Sequence, residues 1–574
     1  MKQFRITEIL ATIILCIFFL YPNAILAGNT IVVDSTVTNI DAKSTRYKII
    51  QPGDTVLLAA GKRRILRIAN FKGDSLNPVI FKNYGGAVEI ANQNLAYGID
   101  IVSCSHIRFT GSGNPDYKYG IRVLETQSGG HNGLSIGYLS SDVEVDHIEI
   151  GHAGFAGIFS VNQPTCDGSA NRGNFVQYNT IIHDNYIHHT GGEGMYIGHS
   201  FYSGYTKICD GDTVILYPHE LKGLKIYNNI LDSCGYDGIQ AGCAVEDCAI
   251  YNNVVTNYGT KKVADQHTGI QIGGGTTGLC YNNIIMNGSG SGIMVFGLGN
   301  NFIFNNLICN AGQNYYPEDL TKKIYGIFCD DRTTIPGESF NFINNTIIRP
   351  KIDGIRIYSD ESANDLIYNN LIIGPDSLMY RYDMSSRFIC VTKGVDAVLA
   401  TNYFVSDWPH DITSDDIQQI YDYCNTLDIH EQGTNVAEYG ITFDLFNNEC
   451  PVSGNPDIGA IQYNNSVPER SQAKSSSENN SATTNYNNKI SGLNSQENTN
   501  YQINRADITS ILPARENIVI RNMNGQIVYS GSKLSKQSSY NLPAGIYIIT
   551  NFCTQKNSEG IITQYSDTKK AVLF

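Results

Sequence analysis

The chain has 574 residues and a net charge of −14, from 40 Lys and Arg against 54 Asp and Glu. That balance argues against nucleic acid as a partner, and mildly against a polyanionic substrate unless a local basic patch or a cation intervenes. Tyrosine (36) far exceeds tryptophan (1), which suits both strand packing and stacking against sugars.

Lys2 and Arg5 precede an apolar stretch from Ile9 to Leu20 and a short polar-to-small segment ending at Ala27. This reads as a signal peptide over residues 1–27, too short and wrongly flanked for a spanning helix. Leu15 before Cys16 stands where a lipoprotein site needs a small residue. No later stretch is apolar enough to cross a membrane. The mature chain is therefore expected to be secreted or attached to the cell surface, as a monomer.

Export permits disulfides. Of fourteen cysteines, loss of Cys16 leaves an odd number, so at least one stays unpaired. Cys234, Cys243, Cys248, Cys280, Cys309 and Cys329 fall in or beside expected strands, where a thiol acts as a small buried hydrophobe. Cys166 and Cys209 lie in loop-like segments and could bridge, although their spacing does not decide it.

Residues 51–90 read PGDTVLLAAGKRRILRI and then NPVIFKNYGGAVEI. They resemble the opening turns of secreted polysaccharide-degrading β-helices, where a capping segment precedes the first full coil. An apolar-flanked Asn pair then recurs at 228–229, 252–253, 282–283, 305–306, 344–345 and 369–370, with Asp184-Asn185 as an imperfect copy. Gly-Ile or Gly-Met steps follow at Gly157, Gly194, Gly238, Gly269, Gly292, Gly326 and Gly354. In four copies the second Asn precedes the Gly by nine residues (185 to 194, 229 to 238, 283 to 292, 345 to 354). Such a period marks an all-β, right-handed parallel β-helix, in which each coil stacks on the last and inward Asn side chains hydrogen-bond along the stack. The expected β-helix domain covers 28–465, with repeats to about Asn370.

After the repeats, SDDIQQIYDYCNT predicts a helix around 414–426, capped by Ser414 with Asp415 and Asp416 in its first turn. Pro456 to Gln462 resembles the closing coil of extracellular β-helix proteins. Residues 466–506 are rich in Ser, Asn, Gln and Thr and read as a flexible linker. Residues 507–574 regain strand character as a small C-terminal β-sandwich. Asn524-Gly525 in a hairpin turn, Gly545-Ile546-Tyr547 and Lys569-Lys570 before the last apolar residues resemble the C-terminal sorting domain of the type IX secretion pathway of Bacteroidetes. That resemblance implies the type IX secretion machinery as a partner.

Alignment on the Gly step yields a map, because neighbouring side chains in a strand face opposite sides. The residue after each Gly (Ile158, Met195, Ile239, Ile270, Ile293, Ile327, Ile355) should point inward, and the next (Phe159, Tyr196, Gln240, Gln271, Met294, Phe328, Arg356) outward. The residue before each Gly lies at the strand's mouth, which places Glu193 and Asp237 on adjacent coils. Strands lie about 4.8 Å apart, so the two carboxylates could approach within roughly 5 Å. Three readings stay open: a Ca²⁺ site, an acid/base pair for glycoside hydrolysis, or carboxylates at surface turns.

Three expansions stand near this pair. Between Asn253 and Gly269 lie Lys261, Lys262, Asp265 and His267; between Asn306 and Gly326 lie Tyr315, Tyr316, Lys322 and Lys323, with Asp330, Asp331 and Arg332 beyond; and 199–218 follows the Glu193 strand. Loops on a rigid scaffold carry function, so these read as walls of a groove. His188, His189 and His199 are close in sequence, but three histidines do not make a metal site without matching geometry.

The resemblance to the pectate lyase-like superfamily, with alginate and chondroitin lyases for the opening turns, implies β-elimination on an acidic polysaccharide. There Glu193 and Asp237 would hold Ca²⁺, Lys261, Lys262 or His267 would serve as base, and Tyr196, Gln240, Gln271, Arg332 and Arg356 would bind substrate, with no organic cofactor. The family's catalytic Lys and Arg motif has no residue-by-residue match here. A glycoside hydrolase using the Glu193/Asp237 pair, and a non-catalytic glycan-binding surface protein, are the alternatives.

Overall fold

The structure, a computed structural model, describes residues 28–463 except 93–95, 318, 320–321, 359, 376–386 and 393, together with the C-terminal strands Gln502–Ile503, Asn517–Asn522, Ile527–Gly531, Gly545–Lys556 and Ile562–Leu573. It divides into two units, one of residues up to Asn435 with Phe443–Tyr463, the other of Val436–Thr442 and the chain from Asn464 onward. The expected signal peptide and nearly all of the expected linker lie outside the described residues.

The first unit is a right-handed parallel β-helix. Each coil contributes short strands to three faces. The first face includes Lys225–Tyr227, Cys248–Tyr251, Gly278–Tyr281 and Asn301–Phe304, and the second Ile230–Asp232, Val254–Thr256, Ile284–Met286 and Leu307–Cys309. The third includes Met195–Ile197, Ile239–Ala241, Ile270–Ile272, Ile293–Val295, Ile327–Cys329 and Ile355–Ile357. All these pairings are parallel and in register.

The Asn pairs make the bend between the first two faces. The first Asn of each pair (Asn228, Asn252, Asn282, Asn305, Asn344, Asn369) has φ of 53 to 55°, a left-handed conformation that Asn tolerates better than most side chains. The second Asn turns inward. From Asn185 through Asn229, Asn253, Asn283, Asn306, Asn345 and Asn370 to Asn402, each Nδ2 donates to Oδ1 of the next at 2.9 to 3.0 Å. Each Nδ2 also donates to a backbone carbonyl on the preceding coil, as Asn253 does to Ile226 at 3.0 Å.

Space explains the Gly steps. A Cβ on Gly269 would meet Ile285 Cγ2 at 2.4 Å and the Gly292 carbonyl at 2.6 Å, and Gly238, Gly292, Gly326 and Gly354 face the same obstruction. None of these glycines has positive φ. The residues after the Gly are all fully buried, and stacked Ile, Val, Leu and Phe fill the interior. Cys234, Cys243, Cys248, Cys280, Cys309 and Cys329 are free and buried among them.

The stack is longer than the repeat pattern indicates. Its first strands are Thr30–Val33 and Asn39–Asp41, and Thr55–Arg63 pairs in parallel with the former, so 51–90 forms early turns of the stack, as expected, but the stack begins before them. At the other end, Ala397–Ala400 and Tyr403–Val405 add to the first two faces beyond Asn370. The helix is Ile417–Cys424, and its cap is Asp416, whose carboxylate accepts from the N–H groups of Gln418 and Gln419. Ser414 instead donates to Asn310 Oδ1 at 2.8 Å and accepts from Arg349. Residues 456–462 form no closing coil. They run along the outside of the stack, with Gly459 N–H on the Asn369 carbonyl and Ala460 N–H on Thr346 Oγ1.

In the second unit the described strands make one sheet. Asn517–Asn522 lies between Ile527–Gly531 and Gly545–Lys556, and Ile562–Leu573 pairs antiparallel with the latter and parallel with Gln502–Ile503. Lys569 and Lys570 lie inside the last long strand. Asn524-Gly525 falls outside the described residues.

Candidate active-site groove

The strands of the third face are parallel, so every insertion before a strand stands on one edge of that face and every insertion after a strand on the other. The expansions carrying Lys261–His267 and Tyr315–Lys323 enter before Ile270–Ile272 and Ile327–Cys329 and share the first edge. They meet: Lys262 Nζ lies 5.3 Å from the ring centroids of both Tyr315 and Tyr316, and Lys322 Nζ 4.9 Å from Tyr316. Lys261 sits over Tyr236, 5.6 Å from its ring, with its backbone N–H on the Gly235 carbonyl.

The expansion after Met195–Ile197 folds as an antiparallel hairpin, Tyr205–Cys209 with Asp212–Leu216, on the opposite edge. A disulfide joins Cys209 to Cys166. His199 fixes its base. The ring stacks on Tyr205, accepts from the Phe201 N–H and contacts Gln163, and burial pulls its pKa down to about 4, so it stays neutral. Tyr202 and Ser203 then line a cavity of about 530 Å³ with Asp331, Arg332, Thr333, Thr334 and Glu361. Arg332 is held there by Asp330 at 2.9 Å and by the Phe296 ring at 3.9 Å.

Between the edges runs the outward stripe. Phe159, Tyr196, Gln240, Gln271, Met294, Phe328 and Arg356 follow one another in register. Phe159 and Tyr196 stack at 5.4 Å with an interplanar angle of 11°. Tyr196 Oη and Gln240 Nε2 both reach Ser200 Oγ, at 2.5 and 2.7 Å, and this draws Gln240 into the wall as a buried rather than open residue. Arg356 pairs with Asp353 at 2.9 Å and with Tyr358 Oη, so part of its guanidinium is already engaged.

The residue before each Gly faces the same side as the outward residue three positions on, as the Asp353–Arg356 pair and the Tyr325–Phe328 ring contact show. Glu193 and Asp237 therefore border the stripe on adjacent coils, with Gly194 N–H donating to the Asp237 carbonyl at 2.9 Å. They are not surface carboxylates: Glu193 is 2% and Asp237 0% exposed. Asp237 Oδ1 accepts from the Thr268 N–H at 2.6 Å, while Asp237 Oδ2 and Glu193 Oε2 are buried without a partner. Burial raises the pKa of Glu193 to about 7. Burial, with the charge of Glu193 as a lesser cause, raises that of Asp237 well above the carboxylate range. Desolvation thus outweighs the mutual repulsion expected from their spacing.

His267 lies on the rim before Thr268, its Nδ1 3.4 Å from Ser289 Oγ, and burial lowers its pKa, helped by the charge of Lys322. Sequence reasoning did not single out Tyr236, Phe155, Phe296 or Tyr202, which complete the aromatic lining.

The molecule so defined is a parallel β-helix whose third face carries an aromatic and amide stripe between insertions on both edges. The family described as right handed beta helix region matches residues 213–404. Among solved structures the chain is similar to an alginate lyase from Paenibacillus sp. str. FPU-7, at 15% identity over 66% of this chain and 98% of that one, with a TM-score of 0.31. It is also similar to a GH136 lacto-N-biosidase from Eubacterium ramulus (11%, 66% and 68%, TM-score 0.41) and to a pectate lyase (12%, 77% and 98%, TM-score 0.36). No curated protein matches the chain. No helix among the described residues is long and apolar enough to cross a membrane.

Proposed function

We propose that the protein acts on a polysaccharide in the groove of its third face, and that it cleaves an acidic glycan by β-elimination. The observation that carries this reading is the Glu193/Asp237 pair: two buried carboxyl groups on adjacent coils, both pushed by burial toward the protonated form, beside an aromatic stripe and below a lysine rim.

A protonated carboxyl can donate a hydrogen bond to a uronate carboxylate. The charge that develops on that carboxylate when the C5 proton leaves is then stabilised in a water-poor site. His267, kept neutral, is the first candidate base, with Lys261 and Lys262 as the others. The C5–H electron pair becomes the C4–C5 double bond, the C4–O bond breaks, and the departing oxygen takes a proton from the carboxyl pair. Tyr196 and Gln271 would form the floor under the sugar rings, with Gln240 buried beneath them and Arg332 and Arg356 farther along the face. Calcium takes six to eight oxygens, and the pair offers two unpartnered ones, too few to hold the ion by themselves.

The pKa of Glu193 near 7 also suits a general acid, and carboxyls one strand apart suit a retaining glycoside hydrolase, which is the second reading. Export belongs to the same proposal. Residues 1–27 act as signal peptide and 507–574 as address for the type IX machinery, and the Cys166–Cys209 disulfide fits an oxidising compartment.

The test presents alginate, pectate, chondroitin and heparin-like chains to the purified protein, following ultraviolet absorbance of unsaturated uronate and release of reducing ends. Both signals rising, and both lost in Glu193→Gln and His267→Ala, supports elimination. Reducing ends without absorbance supports the hydrolase. Neither signal on any glycan, acidic or neutral, overturns both and leaves a binding protein.

A further inference from the structure

A second cluster stands at the corner between the second and third faces. His152, from one coil, and His188 and His189, from the next, bring three imidazole nitrogens within 4.8 Å of one another. The strands leading into the corner are in register, Gly151 opposite His188, so His152 and His189 occupy equivalent positions. His152 N–H donates to the His188 carbonyl at 3.1 Å, which fixes the two coils together at this point. The rings of His152 and His189 stack at 5.1 Å, and His188 stands edge-on to both. We propose that His152, His188 and His189 form a binding site for a divalent transition-metal ion, zinc being the best fit, that clasps two adjacent coils.

Four observations carry this inference. First, His188 Nδ1 and His189 Nδ1 are only 3.0 Å apart. At that distance at most one of the two nitrogens carries a proton, and the spacing is close to the roughly 3.4 Å that zinc–nitrogen bonds of about 2.0–2.1 Å place between tetrahedral ligands. Second, His188 Nε2 is buried without a hydrogen-bond partner, 3.5 Å from Glu149 Oε1. A ligating histidine typically gives its other N–H to a carboxylate, and Glu149 is the carboxylate within reach of that nitrogen. Third, room is made for the ring: a Cβ on Gly151 would stand 2.8 Å from His188 Cε1. Fourth, the corner demands a left-handed backbone in every coil, with φ of 47° at His152 and 54° at His189, and later coils place Asn257, Asn287 and Asn310 there. Histidine replaces asparagine at this corner where the imidazoles of two coils can converge.

The nearby group of Glu144, Asp146 and His183 makes a useful contrast. Arg108 already supplies a cation there, 3.1 Å from Glu144 and 2.8 Å from Asp146. Beside the histidine cluster Arg122 pairs with the Glu149 carboxylate, at 2.9 Å, and not with an imidazole. His152 and His189 are exposed, so the fourth coordination position opens to solvent.

The experiment titrates Zn²⁺ into chelator-stripped full-length protein by calorimetry and Co²⁺ by visible absorption, which reports tetrahedral coordination. The expected result is one equivalent of Zn²⁺ bound, lost or weakened at least a hundredfold in the His152→Asn/His189→Asn double variant. Asparagine already serves at this corner, so the circular dichroism of that variant should match the parent. Glu149→Gln should weaken binding about tenfold. Absence of Zn²⁺ binding in the parent overturns the proposal, and so does binding unchanged in the double variant.

Discussion

Asn253 donates from Nδ2 to Oδ1 of Asn283 at 3.0 Å, and the backbone N–H of Asn253 reaches the same oxygen at 3.0 Å. One side-chain oxygen therefore satisfies two donors of the neighbouring coil, at a site with no access for water. Asn283 passes the same arrangement on to Asn306.

Asn283→Ala would strand both donors of Asn253 and the carbonyl of Ile250, which accepts from Asn283 Nδ2. Each buried orphan costs about 1–3 kcal/mol, so a loss of at least about 3 kcal/mol is expected. Denaturant unfolding of the variant checks it; a midpoint equal to the parent's would show that the ladder contributes no net stability.

The Gly steps give a sharper contrast. Gly292→Ala would force a methyl to within 2.5 Å of Ile308 Cγ2 and 2.7 Å of the Gly326 carbonyl, while a Cβ on Gly137 meets nothing within 4 Å. Overpacking of this kind costs about 1–3 kcal/mol or more. Gly292→Ala should lower the thermal midpoint clearly, and Gly137→Ala should leave it near the parent value.

These two features were legible in the sequence because they repeat within a coil: a bend needs its Asn pair and a crowded crossing needs its Gly, at a fixed distance. What depends on contacts between coils was not. Glu193 and Asp237 carry the spacing of surface turns, and loops from neighbouring coils bury them. His152 is 36 positions before His188, an offset set by one coil's loops rather than by the repeat. The strands at Thr30 and Tyr403 escaped notice because the end coils lack the full Asn-to-Gly signature, although Asn402 continues the ladder.

The Glu193 carboxyl links stability to pH. Its pKa rises from an ordinary 4.5 to about 7 in the folded protein. The folded state thus holds a proton that the unfolded chain has released, and stability falls as pH climbs between those values. The stabilisation is complete below about pH 4.5 and lost above about pH 7, amounting to about 3 kcal/mol. Glu193→Gln, which cannot ionise, should match the parent near the acid end and exceed it in denaturant midpoint above pH 7. An identical pH dependence in the two proteins would place the titration elsewhere.

The Cys166–Cys209 disulfide closes a loop across a separation of 43 residues and anchors the hairpin Tyr205–Leu216. A loop of that size corresponds to about 4 kcal/mol of chain entropy, but here it acts on the groove wall rather than on the stack. Cys166→Ser/Cys209→Ser should make the hairpin susceptible to limited proteolysis while the strand signal in circular dichroism persists. Cleavage confined to 199–218 would confirm that the wall is held from outside the core.

Lys262 offers a test of the cationic rim that leaves the carboxyl pair untouched. It is exposed, and its φ of 56° is one that asparagine adopts readily. Lys262→Asn therefore removes the charge without straining the turn. An exposed ion pair contributes up to about 1 kcal/mol, or roughly fivefold in affinity. Binding of an acidic oligosaccharide, measured by calorimetry at low salt, should weaken by about that factor. At about 1 M salt, where the screening length falls to about 3 Å, the parent and the variant should converge. A neutral oligosaccharide should not distinguish them at either salt concentration. An effect that survives high salt would mean that Lys262 acts through its packing on Tyr315 and Tyr316 instead of through its charge.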